Sequence, residues 1–532
     1  MGDQFTPEEH ARLARHFTDP DGPVFALIDL PEVVKGALFA RYSRSPKSLK
    51  LLWLDEFGGA TEAARETAVV DTRRAEQLYE RMLVEYGDDS VAQLGGVHLA
   101  VEGASNILTK VLEWGRLMAY LEQSTRYVPY DDRPDGRWRY HVPEELTGTL
   151  RERYVTTMDA AFSTYAAWVP RLRDFFAAKF PRGEGDSDFA YRMTIRAKAL
   201  DTLRGLLPAA TISNVGIYGT AQAYEQLLLR MRSHPLAEVR ACAGAMLREL
   251  RKVIPAFLKR VDAPDRGAVW SAYLAETRNA VADVTRAVLA GVQAEARDEV
   301  TLTEFDADGE VKVVAAALYA SATLPDDQLL ALARRMSEAE RTAVLDAYIG
   351  KRRNRRHRPG RALERTAYRF DVLSDYGAFR DLQRHRLLTL EWQRLTPAHG
   401  YVMPEAVEEA GAADDFRRVV DDAAELHDAI VAAGLPEVAP YAVSMAYRVR
   451  FYMAMNAREA MHVIELRSAP QGHPAYRRIA QAMHRLIADR AGHRALAAAM
   501  LFADHSAVDL ERLEAERAAE RRRGRQSPNA MA

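Results

Sequence analysis

Three consecutive cations, Arg384, His385 and Arg386, stand between two amphipathic stretches in QRHRLLTLEWQRLTP, residues 383–397. A guanidinium keeps its charge and presents a planar fork to phosphate or carboxylate, so the triplet suits a bound anion as well as a solvated helix end. Further on, Asn456 followed by Glu459 has the pattern of a helix N-cap, and Arg458 and His462, four residues apart, then share a helix face. Arg126 and Arg204 are candidate anion ligands in the first half of the chain, although surface ion pairs of little energetic weight would also account for them. The single cysteine, Cys242, lies in the apolar-periodic stretch EVRACAGAMLREL, where a buried structural thiol is the simpler reading than a nucleophile. One cysteine leaves no intramolecular disulfide framework and no cysteine-based metal cluster, and no metal site is expected.

The elements that must position these residues are written twice. Each half of the 532 residues opens with an apolar segment running into Ala-rich sequence, at Val24 and again at Val311. Each continues into a long helical stretch with Arg-rich ends, from Ser105 and from Gly377, and closes on similar segments, AYEQLLLRMRSHPLAEVR and AMHVIELRSAPQGHPAYRR. The join falls near Glu299, where EVTLTEFDADGEVKVV predicts strand, Asp-Gly turn, strand. The expected organisation is therefore residues 1–298, residues 299–505 and a charged tail at 506–532. VHLAVEG and YRVRFYMAM alternate like strands, with Gly103 breaking the first before an apolar-periodic helix.

Hydrophobic residues make up 48% of the chain and charged ones 28%, with a formal net charge of −2, which describes a globular protein without global basicity. The basic run KRRNRRHRPG, residues 351–360, and the tail from Glu511 lack aromatic residues for stacking bases and are expected to be solvated or linker segments, with no nucleic acid as partner. The first residues carry no apolar signal core, and no run of about 18 apolar residues could span a bilayer, so a cytoplasmic protein without a membrane partner is expected.

The stretch DSVAQLGGVHLAVEGASNILTKVLEWGRLMAYLEQSTRYVPY, residues 89–130, resembles the flavin-dependent thymidylate synthases. It keeps Ser90, Glu102, Gly103, Ser105, Arg116, Ser124, Arg126 and Tyr127 of that family's pattern, but Trp114 and Gly115 stand where the first Arg and the His of its R-H-R should be. The second half has the reverse inheritance. Arg384, His385 and Arg386 are intact, and Asn456, Ala457 and Arg458 match the N-A-R signature, followed eleven residues after Asn456 by Arg467; Arg394 and Thr396 replace its S-x-R.

The resemblance implies an α+β fold of two homologous helix-rich halves, each around a small mixed or antiparallel sheet. It implies reductive methylation of dUMP to dTMP with methylenetetrahydrofolate and NADPH through FAD, at one composite site. Arg384, His385, Arg386, Asn456, Arg458, His462 and Ser90 would hold FAD, and Ser124, Arg126, Arg204, Gln123 and Glu122 would hold dUMP. Arg467 would face the pyrimidine as the catalytic group, and a homodimer with tetramer-like architecture is implied. Trp392 and Asp381 depart from the family at the flavin-bearing half, which keeps open a uracil-modifying enzyme with a changed acceptor or donor, or a silent nucleotide-binding scaffold.

Overall fold

The computed structural model describes residues 5–42, 45–57, 93–184 and 186–507, with 510, 513, 517 and 521. The fold is α+β, 54% helical, with two small antiparallel sheets. No helix among the described residues is long and apolar enough to cross a membrane. Packing divides the chain into two compact units: Met1–Ala104, Val111–Glu122 and Asn214–Val292 form the first, and Ser105–Lys110, Gln123–Ser213 and Gln293–Ala532 the second. Packing therefore does not follow the repeat boundary near Glu299, because residues 123–213 of the first repeat fold together with the second.

The first unit is built on β1 (Gly96–Ser105), β2 (Met118–Glu122) and β3 (Ile212–Thr220) in the order β1-β3-β2. Gly103 takes φ +69°, a conformation open to glycine, yet the strand runs on to Ser105 before the helix Asn106–Leu112 begins. Trp114, standing where the resemblance places an arginine, carries the Arg230 guanidinium 5.0 Å from its ring, and the Tyr120 hydroxyl donates to the Gly115 carbonyl at 3.1 Å. These positions have turned to packing. Cys242 is half-buried in the helix Ala237–Leu250, and burial, with Glu238 beside it, pushes its thiol up to about 12.

The second unit centres on β4 (Val300–Phe305), β5 (Ala367–Asp375), β6 (Thr389–Trp392) and β7 (Arg448–Asn456), ordered β4-β5-β7-β6 with every neighbour antiparallel. Along β7, Val449, Phe451, Met453 and Met455 are buried and the residues between them half-buried, the period-two pattern of a strand with one core face. Phe370 on β5 opposes Met453 and Val372 opposes Phe451, which fixes the register through paired core residues. The expected hairpin after Glu299 is corrected in its second arm. β4 forms, but Gly309–Tyr319 is a helix, because the Ala-rich sequence following VKVV favours that state and Val313 and Val314 bury on one side of it.

The insertion at 132–186 supplies a 32-residue helix, Gly148–Lys179, which buries Tyr154, Met158, Phe162, Tyr165, Val169, Leu172 and Phe176 at helical spacing. Trp168 on this helix donates to Asp415 at 2.8 Å. It is framework for the helix Asp188–Leu203, whose end carries Arg204.

The basic run is not a solvated linker at its start. Arg352 is only 8% exposed, and both its terminal nitrogens donate at 2.6 Å to the Glu465 carboxylate, while its Nε donates to the His357 carbonyl at 2.7 Å. Burying a charge requires a paired and hydrogen-bonded partner, and this guanidinium has one. Arg352→Ala therefore strands the Glu465 carboxylate and should destabilise the fold by about 3–5 kcal/mol in urea unfolding. Arg361→Ala, which breaks only the exposed pair with Glu364, should cost less than about 1 kcal/mol.

Candidate functional site

β5 ends at Asp375, whose side chain accepts from the Ala378 amide at 2.9 Å and caps the helix Tyr376–Leu382. Asp381 lies in the last turn of that helix and Arg384 just beyond it, three residues apart, so their side chains meet: Arg384 Nη2 donates to Asp381 Oδ1 at 2.5 Å. Arg204 Nη1 lies 3.5 Å from Asp381 Oδ2, and Arg467 Nη1 lies 3.9 Å from Asp381 Oδ1. Arg467 also donates to the Asp381 carbonyl. Burial pushes the Asp381 carboxyl up, but Arg384, Arg467, Arg204 and Arg126 outweigh burial and hold it well below the usual carboxylate range.

Arg204 is 4% exposed and sits at the C-cap of the helix Asp188–Leu203, with Nη2 3.4 Å from Asp375. Gly377 admits it: a Cβ built at that position would come within 2.5 Å of Arg204 Nε. Arg126 donates from Nε to Asp201 at 2.8 Å and from Nη2 at 2.6 Å, and its Nη1 lies 3.2 Å from the Tyr476 hydroxyl. Burial disfavours the Arg126 charge, but Asp201 more than offsets this and keeps it protonated. Ser124 Oγ accepts from the Arg126 amide at 3.3 Å, fixing the turn that presents this guanidinium. A cavity of about 330 Å³ adjoins the cluster, lined by Asp201, Arg204, Asp375 and His473 among others.

On the other side of Arg467 lies His385. Arg467 Nε donates to His385 Nε2 at 2.8 Å, so the ring proton sits on Nδ1, 3.6 Å from Glu459 Oε1. Burial, with Arg467, His462 and Arg384 beside it, keeps His385 neutral far below its ordinary range. His462, whose ring centre is 5.6 Å from that of His385, accepts at Nδ1 from Arg358 at 3.2 Å, and burial followed by Arg358, Arg355 and Arg467 lowers it to about 4. Ligand atoms of His385, Glu459 and His462 come within 4.8 Å of one another. Yet an ion on His385 Nδ1 would take that ring's only proton while Nε2 still accepts from Arg467, and it would lie among several guanidinium groups. The surroundings suit anions.

The structure thus brings together Arg126, Arg204, Arg384, His385, His462 and Arg467. Arg386 is exposed, with its charge bearing on Glu459. Asn456 caps the helix Ala457–Arg467 by accepting from the Glu459 amide at 2.9 Å, and Arg458 donates to the Pro359 carbonyl at 2.9 Å. Gln123 accepts at its carbonyl from the Ser213 hydroxyl, while Glu122 is buried at the end of β2 opposite Val215. Ser90 lies outside the described residues. Sequence reasoning missed Asp201, Asp375 and Tyr476. Asp375 was findable as a helix N-cap, whereas Asp201 and Tyr476 carry no local signal and are recruited only by packing.

A family model, thymidylate synthase complementing protein, matches residues 37–256 and 301–491. A UPF0159 protein of Chlamydia muridarum is 36% identical over 520 residues, spanning 96% of this chain and 98% of that protein. A UPF0159 protein of Thermoplasma acidophilum is 29% identical over 509 residues, covering 91% and 97%. A flavin-dependent thymidylate synthase of Mycobacterium sp. (strain JLS) is 31% identical over 182 residues, covering 34% of this chain and 67% of that protein.

Glu459 gives the site a pH signature. Burial raises its carboxyl from 4.5 to about 7, against the lowering pull of Arg358, Arg458 and Arg386. The folded state holds this proton more tightly than the unfolded chain, so the associated stability is full below pH 4.5 and is lost as pH rises through about 7, by up to about 1.4 kcal/mol per pH unit. Between pH 5 and pH 8, the urea midpoint of the wild type should fall relative to that of Glu459→Gln, which has no such proton to lose.

Proposed function

Because the chain belongs to the thymidylate synthase complementing protein family, we propose that it is a flavin-dependent thymidylate synthase. It converts dUMP to dTMP with methylenetetrahydrofolate and NADPH, at one site built from both sequence repeats. The observation that carries this reading is convergence: Arg126 and Arg204 of the first repeat and Arg384 and Arg467 of the second all bear on the half-buried carboxylate of Asp381.

In this reading Arg126 and Arg204, with Ser124, take the phosphate of dUMP, drawing on guanidinium positions already fixed by Asp201, Asp375 and Asp381. Arg467 faces the pyrimidine and stabilises the negative charge that builds on the ring. Its plane is fixed by two internal bonds, Nε to His385 and Nη2 to the Asp381 carbonyl, so its remaining N–H groups need no reorganisation as that charge develops. His385 positions Arg467 and, being neutral, does not compete with it for the anion. Arg386 and Arg458 form a cation-rich edge whose chemistry fits the phosphoryl groups of FAD, with neutral His462 beside them as a polar neighbour. When bound, FAD supplies the hydride that reduces the transferred one-carbon group. Cys242 is not required as a nucleophile.

A second reading is favoured by the charge balance. Around Asp381 four guanidinium groups, those of Arg126, Arg204, Arg384 and Arg467, face the three carboxylates of Asp201, Asp375 and Asp381, so most of their charge is already compensated. An acceptor with less phosphate charge than dUMP would suit such a site, and this is the uracil-modifying enzyme with a changed acceptor.

The purified protein, supplied with FAD, NADPH and methylenetetrahydrofolate, should form dTMP from dUMP. Arg467→Ala should lower kcat by roughly 10²–10³ with the protein still folded, as expected for loss of a preorganised donor. Product from deoxyuridine but not from dUMP would select the second reading, and absence of product from both would remove the two together.

A further inference from the structure

The basic run takes no part in the reading above, yet it is laid along one face of the helix Ala457–Arg467. Arg458, His462 and Glu465 are spaced four and then three residues apart and so line a single stripe. The run meets each of them: Arg352 pairs with Glu465, Arg358 donates to His462, and the Pro359 carbonyl accepts from Arg458. The buried Arg352 pair and its bond to the His357 carbonyl fix the backbone between, so the remaining arginines are carried on a pinned loop. Arg358 is exposed and Arg355 half-buried, and the charges of both reach His462. Arg386 and Arg458, from other elements, bear with Arg358 on Glu459 next to it. The loop thus brings Arg355 and Arg358 to the edge where Arg386 and Arg458 already stand. The cost of ordering them is largely met before any ligand arrives.

We propose that residues 351–359 are a phosphate-binding strap in which Arg355 and Arg358, with Arg386 and Arg458, grip adjacent phosphoryl groups of a nucleotide. Resting on the flavin reading, that nucleotide is FAD and the gripped group is its diphosphate. Planar guanidinium groups match phosphoryl oxygens in pairs, and the run contains no Phe, Tyr or Trp with which to stack bases, so it reads phosphate rather than sequence.

The test compares the full-length wild type with Arg355→Ala/Arg358→Ala, and with Arg353→Ala/Arg356→Ala as a control on the same loop. Binding of inorganic pyrophosphate and of dUMP is measured by calorimetry, and binding of FAD and riboflavin by flavin fluorescence. All four positions are on the surface or half-buried, and circular dichroism checks that each variant is folded. The proposal predicts that the Arg355/Arg358 variant loses about tenfold or more in affinity for both pyrophosphate and FAD. Its affinity for riboflavin, which lacks phosphate, and for dUMP should not change, and the control variant should match the wild type. Loop-dependent pyrophosphate binding without FAD binding would leave the strap standing and remove the flavin reading. Pyrophosphate binding that is absent, equal in wild type and the Arg355/Arg358 variant, or equally weakened in the control would overturn the strap, whatever FAD does. A loss of dUMP rather than FAD affinity would overturn the assignment of the ligand.

Discussion

A carboxylate withdrawn from most of its water stays charged only where cations or hydrogen-bond donors come to it, and Asp381 sets that condition for the arginine cluster of the second unit. Its compensation comes from three places in the chain: Arg384 just beyond its own helix, Arg467 at the end of the helix that follows β7, and Arg204 at the end of the helix Asp188–Leu203. Each must arrive with its backbone fixed. Antiparallel pairing of β5 with β7 brings the first two side by side, and the close approach at Gly377 leaves room for the third. Removing the carboxylate would leave the buried Arg204 and the half-buried Arg384 and Arg467 facing one another, a like-charge contact that destabilises the fold. The cluster is for that reason both a structural keystone and a set of preorganised donors.

The same constraint explains how the two repeats divided their work. In the first unit, Trp114 and Gly115 stand where cations would be needed, and Arg230 lies against the indole. In the second, the intact triplet turns His385 inward as a neutral acceptor for Arg467, while Arg126 and Arg204 come from the first repeat's sequence. The compact units cut across the repeat boundary because the residues completing the second repeat's cluster lie in the first repeat. Duplication followed by one-sided loss would leave this arrangement.

Much of the scaffold was legible in the chain itself. Alternation in YRVRFYMAM marked β7, and Asn456 before Glu459 marked the helix start, because both signals are local. The arm after Asp308 was misread as a strand, since a short apolar run carries no period of its own and the following alanines decided for helix. The start of the basic run was misread for the opposite reason: a run of arginines looks solvated until a distant carboxylate, Glu465, pairs with one of them, here Arg352. Asp201 and Tyr476 were invisible as partners of Arg126, since sequence shows side-chain chemistry but not which distant groups will meet. The arginines were found through family resemblance, and the carboxylates that fix them only through packing.

The central claim is that a single nucleotide site is assembled from both repeats. Calorimetric titration of dUMP into the wild type and into Arg126→Ala and Arg467→Ala tests it most directly. One dUMP per chain, lost in both variants although the substitutions lie in different repeats, is the predicted result. Two equivalents per chain, or unchanged binding in Arg126→Ala, would contradict it.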